Sequence, residues 1–202
     1  MVRVCVATEH GRAYYVLVSR LRRAGFNFMT VIPGQGADCE LVLTTREEAV
    51  GFRGSVLALE DLDDDPDIVR GQVLSQLDGG SGTLLVGIDP GIRNGMASFY
   101  GEEKLAFRTF NSRETLSAGV LNLANRVNAE RVVVRVGDGN PSLAYWIAKR
   151  LASRLPSASV EIVDESGTSA RTAKTRGLRK DEGSAARIAL RKGTRFLLVA
   201  PE

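Results

Sequence analysis

The segment Gly87-Ile88-Asp89-Pro90-Gly91-Ile92-Arg93-Asn94-Gly95-Met96-Ala97 ends an apolar run on an aspartate, follows it with Pro-Gly and places a second glycine soon after. A carboxylate there leaves a hydrophobic strand at its rim, where a cation can offset the cost of desolvating it. Gly91 and Gly95 allow backbone to approach a phosphate or a metal closely. The same residues also suit an ordinary Asp-Pro-Gly turn in a hairpin.

Two further stretches carry acids at comparable places. Ser159-Val160-Glu161-Ile162-Val163-Asp164-Glu165 finishes an apolar strand on two adjacent acids, which alternation sends to opposite faces. Thr168 and Ser169, just beyond, could instead cap a helix. In Lys180-Asp181-Glu182-Gly183-Ser184-Ala185-Ala186-Arg187-Ile188-Ala189, helical spacing aligns Asp181 with Ala185, Ile188 and Ala189. An acid in line with small residues would bring the first turn of a helix close to a sheet. Acids in a first turn also suit the helix dipole with no further role.

Asp89, Glu165 and Asp181 together form an oxygen-only set, the ligand type that Mg²⁺ or Mn²⁺ takes. The chain has 1 His, His10, which nearly excludes chemistry needing a histidine base and fits a helix start. Metal-assisted hydrolysis of a phosphodiester is then the economical reading. Asp138, in the turn Gly137-Asp138-Gly139-Asn140-Pro141, follows a buried strand and could reach the same rim as a fourth ligand.

Charge is divided unevenly. Residues 1–80 hold 8 basic and 12 acidic residues, whereas residues 81–202 hold 19 basic and 12 acidic. A polyanionic partner is expected for the second part alone, unless that surplus is a plain solvated face. Arg171, Lys174, Arg176, Arg179 and Lys180 lie between two of the acidic motifs in a stretch without apolar periodicity. Together with Arg93 of the first motif, they are the candidate contacts to a nucleic-acid backbone. The run Glu60-Asp61-Leu62-Asp63-Asp64-Asp65-Pro66-Asp67 lacks the glycine and the terminal glutamate of a calcium loop and reads as a solvated helix cap.

With 202 residues, 44% of them hydrophobic and 6% aromatic, the chain can bury an aliphatic α/β core. Cys5 and Cys39 form no Cys-x-x-Cys pair, so neither a disulfide scaffold nor a thiolate zinc site is expected. No apolar run is long enough for a membrane span, and the protein is expected to be soluble and cytoplasmic. Asp78-Gly79-Gly80-Ser81-Gly82 marks a boundary between a small α/β domain over 1–80 and a second domain over 81–202.

In the first domain, patterning predicts strands at Val2–Thr8, Phe28–Ile32, Leu41–Thr44 and Val56–Leu59, with helices at Arg12–Ala24 and Pro66–Leu77. In the second it predicts strands at Leu84–Ile88, Gly95–Tyr100, Leu105–Phe110, Arg131–Val136, Val160–Val163 and Phe196–Ala200. Helices are expected at Arg113–Asn128, Pro141–Leu155 and Asp181–Lys192. Three hairpin-linked strands followed by α-β-α-β-α is the order of a ribonuclease H-like domain, a mixed sheet flanked by helices.

Residues 84–192 resemble the RuvC-like resolvases of the ribonuclease H-like superfamily, and in particular the YqgF-like branch of Holliday junction resolvases and pre-ribosomal RNA nucleases. Asp89, Gly91, Gly95 and Ala97 match that branch's Asp-x-Gly-x-x-x-Gly-x-Ala strand. Asp164-Glu165-Ser166-Gly167-Thr168-Ser169 is similar to its Asp-Glu-Arg-x-Thr-Thr motif, with serine in place of arginine. Asp181-Glu182-Gly183-Ser184-Ala185 is similar to its Asp-x-x-Ala-Ala helix. Resolvases that carry an acid on the fourth strand would have it near Arg135, which is basic here.

The resemblance implies a metal-dependent endonuclease acting on branched DNA or structured RNA. Asp89, Glu165 and Asp181 would hold one or two Mg²⁺ or Mn²⁺ ions, which activate water and stabilise the leaving oxygen. Paired cuts in a four-way junction would call for a homodimer. A catalytically inactive nucleic-acid-binding module of the same fold is the alternative that Ser166 and Arg135 favour. A phosphotransferase of the sugar-kinase type would need two such domains. The acidic first domain points to dimerisation or partner binding.

Overall fold

The computed structural model describes residues 4–33, 39–165 and 180–198, with the side chains of Lys180 and Asp181 outside that description. The chain forms two compact units, Met1–Ser81 with Arg126–Asn128, and Gly82–Asn125 with Ala129–Glu202.

The first unit runs β1 (Val4–Val6), α1 (Gly11–Arg23), β2 (Met29–Thr30), β3 (Leu41–Thr44), α2 (Arg46–Ala49), β4 (Val56–Ala58) and α3 (Pro66–Leu77). Its strands are parallel and lie in the order β2-β1-β3-β4. Alternation puts Val4, Val6, Leu41 and Leu43 on one face, where they share a core with Leu17 and Leu21 of α1 and Val69 and Val73 of α3. Helix signals in this unit are local. His10 is the residue before α1, Gly25 takes a positive φ just after it, and Asp65 accepts from Asp67 N–H ahead of Pro66 at the start of α3.

Cys5 and Cys39 are joined by a single disulfide, a pairing that the sequence did not lead us to expect. Parallel pairing sets Val4 beside Leu41, so Cys39, two residues earlier, comes within 6.0 Å of Cys5 between Cα atoms. Sequence spacing does not reveal that proximity; strand register does.

The second unit runs β5 (Thr83–Asp89), β6 (Asn94–Tyr100), β7 (Glu103–Phe110), α4 (Arg113–Arg126), β8 (Arg131–Gly137), α5 (Pro141–Arg154), β9 (Ser159–Val163), α6 (Lys180–Leu190) and β10 (Thr194–Arg195). The sheet order is β10-β9-β8-β5-β6-β7. β5, β6 and β7 form an antiparallel meander, β8 and β9 add in parallel on the other side of β5, and β10 closes the edge antiparallel to β9. The last strand among the described residues falls at Thr194–Arg195; of the expected strand Phe196–Ala200, residues 196–198 are not strand and 199–200 lie outside the described residues. Phe196 still donates its N–H to Val160 O, but pairing stops there among the described residues.

The two faces are covered differently. Val86, Ile88, Val134 and Val136 are buried on one face, and α5 packs on β8 and β9. On the other, Gly87 lies directly under α6, and a Cβ there would collide with Ala185 O and crowd Ala189. Ala185, Ala186 and Ala189 pack with Ala97 and Phe99 in that interface. The small-residue stripe of α6 thus meets a strand glycine, and helix backbone touches sheet backbone.

Candidate carboxylate site

Strand polarity brings the acids to one rim. β5, β8 and β9 are parallel, with Ile88 beside Val136 and Gly137 beside Val163, so their C-terminal ends are level. Within two residues of these ends come Asp89 on β5, Asp138 after β8, and Asp164 and Glu165 after β9. Adjacent strands lie about 4.8 Å apart, which sets the scale of the cluster.

The α6 face of this rim is identified by its neighbours. Gly87 contacts α6, and Arg135, its partner on β8, donates to Ala189 O. Alternation carries the same face to Asp89 and Gly137, both two residues on. Gly137 has no side chain, and its space is taken by Glu165: a Cβ at Gly137 would collide with Glu165 Oε1 and lie 2.7 Å from Ile188 Cδ1. The carboxylate of Glu165 is therefore cradled over the end of β8, beside the strand that ends in Asp89.

Hydrogen bonds fix that cradle. Gly139 N–H donates to Glu165 Oε1 at 3.1 Å, Glu165 N–H donates to Asp138 Oδ1 at 3.0 Å, and Asp138 N–H donates to Val163 O at 3.1 Å. A Cβ at Gly139 would also press on Glu165, 3.1 Å from Oε1. Asn140 caps α5 by accepting from Leu143 N–H, and Pro141 opens the helix. The turn Gly137–Pro141 thus caps a helix and seats a carboxylate at once. Each of Asp138 and Glu165 uses one carboxylate oxygen in these bonds.

Asp89 is half-buried and pairs across the hairpin with Gly95, while Arg93 is exposed in the turn between β5 and β6. Asp181 lies in the first turn of α6, one turn ahead of Ala185. Arg171, Lys174, Arg176, Arg179 and Ser166 lie outside the described residues, as do the side chains of Lys180 and Asp181. Among the described residues no group of three His, Cys, Asp or Glu could hold a metal ion. Asp89, Asp138 and Glu165 are carboxylates, the ligand type of a hard divalent cation, and the space over Gly137 and Gly139 holds the Glu165 side chain.

Sequence reading missed two features. Gly137 and Gly139 flank Asp138 and look like turn residues until the β8–β9 register places Glu165 above them. Arg135 is committed elsewhere: its Nε pairs with Glu161 Oε2 at 2.9 Å and its Nη1 reaches Ala189 O. Glu161 also accepts from Gly193 N–H at 3.2 Å. This nearly buried pair holds the C-terminal end of α6 to β8 and β9 and lies two residues short of the rim.

A meander of three strands, two parallel strands beyond the first, and helices on both faces define the second unit as a ribonuclease H-like fold. Among solved structures, Thermus thermophilus RuvC is similar, with 17% sequence identity and a TM-score of 0.39 over 53% of this chain and 90% of that one. Marinitoga piezophila Argonaute, in complex with a 5′ OH guide RNA, is similar at 9% identity and a TM-score of 0.30. That match covers 81% of this chain but 39% of Argonaute. A scan against protein-family models and a search of curated proteins find no match. No helix among the described residues is long and apolar enough to cross a membrane.

Proposed function

We propose that this chain is a divalent-metal-dependent endonuclease hydrolysing phosphodiester bonds in structured nucleic acid. Asp89, Glu165 and Asp181 would hold Mg²⁺ or Mn²⁺, with Asp138 adjoining. The observation that carries this reading is the Glu165 carboxylate seated over Gly137 beside the strand that ends in Asp89. Bound cations there would supply an activated water and offset charge on the leaving oxygen. The chain's own part is to bring the strand ends that carry Asp89, Asp138 and Glu165 to one rim. Arg93, Arg171, Lys174, Arg176, Arg179 and Lys180 would neutralise the phosphate backbone. Branched DNA of the Holliday-junction kind is the favoured substrate, with a pre-ribosomal RNA as the competing one. Two cuts in one junction would require a homodimer. In this reading residues 81–202 are the nuclease domain, residues 1–80 serve assembly, and the protein works in the cytoplasm.

The test is a cleavage assay on a four-way junction, a plain duplex and a structured RNA, with Mg²⁺ or Mn²⁺. Asp89→Asn should lower the rate by about 100-fold or more, since it removes a negative ligand while keeping the shape. Cutting that survives this change overturns the site. The Arg135–Glu161 pair, standing where some resolvases carry an acid, favours one second reading: an inactive nucleic-acid-binding module. Stoichiometric, salt-sensitive binding without metal-dependent cleavage would decide for it.

A further inference from the structure

Helix α5 is amphipathic, and its outward face has an unusual makeup. Ala144, Ile147, Ala148 and Leu151 are buried against the sheet. Tyr145, Lys149, Arg150 and Arg154 are exposed on the other side, with Trp146 half-buried among them. No acidic residue occurs anywhere in Pro141–Arg154, so the helix has only positive side-chain charge. Tyr145 is 56% exposed although it is aromatic.

Trp146 lies near two guanidinium groups, with Arg113 of α4 4.3 Å and Arg150 5.4 Å from the ring centroid. Tyr145 meets Phe196 edge to face, at 5.6 Å between centroids. Arg113 also pairs with Glu114 at 2.9 Å, so the surplus charge comes from Lys149, Arg150 and Arg154. The aromatic end of this stripe is near the carboxylate rim. Asn140 caps α5 directly after Asp138 and Gly139, and Tyr145 and Trp146 follow about 8 Å along the axis at 1.5 Å per residue.

We propose that the outward face of α5, with Arg113 beside it, is a docking surface for an unpaired nucleic-acid strand. This deepens the nuclease reading and rests on it for the class of partner. Flat π surfaces and guanidinium planes accept bases that have left a stack, while duplex bases keep their faces covered. Lys149, Arg150 and Arg154 repeat along the helix and follow a phosphate backbone without reading sequence. A strand on this face runs toward the rim that carries Asp138 and Glu165. The surface therefore selects substrates with a single-stranded or splayed segment next to the bond to be cut.

The chain has 1 Trp, so the emission of Trp146 reports on this surface alone. The experiment titrates the full chain, without divalent ions, against a 16-nucleotide oligothymidylate, the same length of duplex and phosphatidylserine vesicles, following both Trp emission and probe anisotropy. Oligothymidylate should quench Trp146 and bind more tightly than the duplex. Lys149→Gln/Arg150→Gln should weaken that binding about tenfold and lower the magnitude of the salt slope by about 1.4 for two lost phosphate contacts. Tyr145→Ser should reduce affinity without changing the salt slope. Binding without quenching, an unchanged affinity in the double variant, or preference for duplex or vesicles overturns the proposal. Metal-dependent cleavage is measured separately, so loss of nuclease activity with binding intact counts against the nuclease reading and not against this surface.

Discussion

Both units place acidic residues beyond the C-terminal ends of parallel strands, and they treat those acids in opposite ways. In the first unit Glu48, on α2 after β3, accepts from Glu9 N–H at 2.7 Å, Thr45 Oγ1 at 2.7 Å and Thr44 Oγ1 at 3.1 Å. Partial burial pushes its pKa up, but these bonds and one from Thr8 outweigh burial and hold the carboxyl at about 2. Thr45 also accepts from Glu48 N–H, completing a reciprocal cap. In the second unit Glu165 receives one N–H, from Gly139, among the described residues, and sits in space that two glycines leave open. An acid saturated by local donors has a structural task; an acid with spare lone pairs at a glycine-lined rim can take a cation.

The contrast can be broken from either side. The largest effect expected is on the first unit, where the Cys5–Cys39 bridge spans 34 residues of sequence. Reduction should cost it about 4 kcal/mol, from the loop-closure entropy returned to the unfolded chain. Urea melts with and without reductant would show this, while Mn²⁺ titration of the second unit should not change. If metal binding falls with the disulfide, the two acid clusters are not independent. Next comes Gly87→Ala, which forces α6 off the sheet because the obstacle is backbone. A loss of about 2 kcal/mol is expected, and an unchanged urea midpoint would mean that the helix does not pack there.

A finer cut comes from Gly137→Ala. The methyl displaces the Glu165 carboxylate, and Mn²⁺ affinity measured by calorimetry should fall about tenfold. Undiminished affinity would remove Glu165 from the cluster. The smallest effect belongs to Glu48. Its folded pKa lies below the ordinary 4.5, so its contribution is present above pH 4.5 and is lost as pH falls toward about 2. Glu48→Gln should flatten the acid limb of thermal stability in that window. A variant that keeps the wild-type slope would show that Glu48 is not held by its donors.

What the sequence made legible was local or periodic. Asp65-Pro66 announces its helix through a cap that needs no distant partner. The strand order of the second unit follows from apolar runs and turn residues, and with it the ribonuclease H-like topology. Ala185, Ile188 and Ala189 could be aligned by helical period. Their partner Gly87 could not, because nothing in its neighbourhood states which helix lies above it. The same limit hid the seat of Glu165, which depends on the pairing of Gly137 with Val163 across separate strands. It also hid the Cys5–Cys39 bridge and the engagement of Arg135 by Glu161. Each of these is a fact of register between segments far apart in the chain, whereas propensity and period speak only within a segment.

The seating of α6 on Gly87 has an evolutionary corollary. Backbone contact at Ala185–Ala189 and the hold of Arg135 on Ala189 O stop the helix from sliding or turning. One residue inserted between Asp181 and Ala185 would swing the aspartate by about 100° around the axis. Insertions and deletions should therefore be purged within the first turn of this helix.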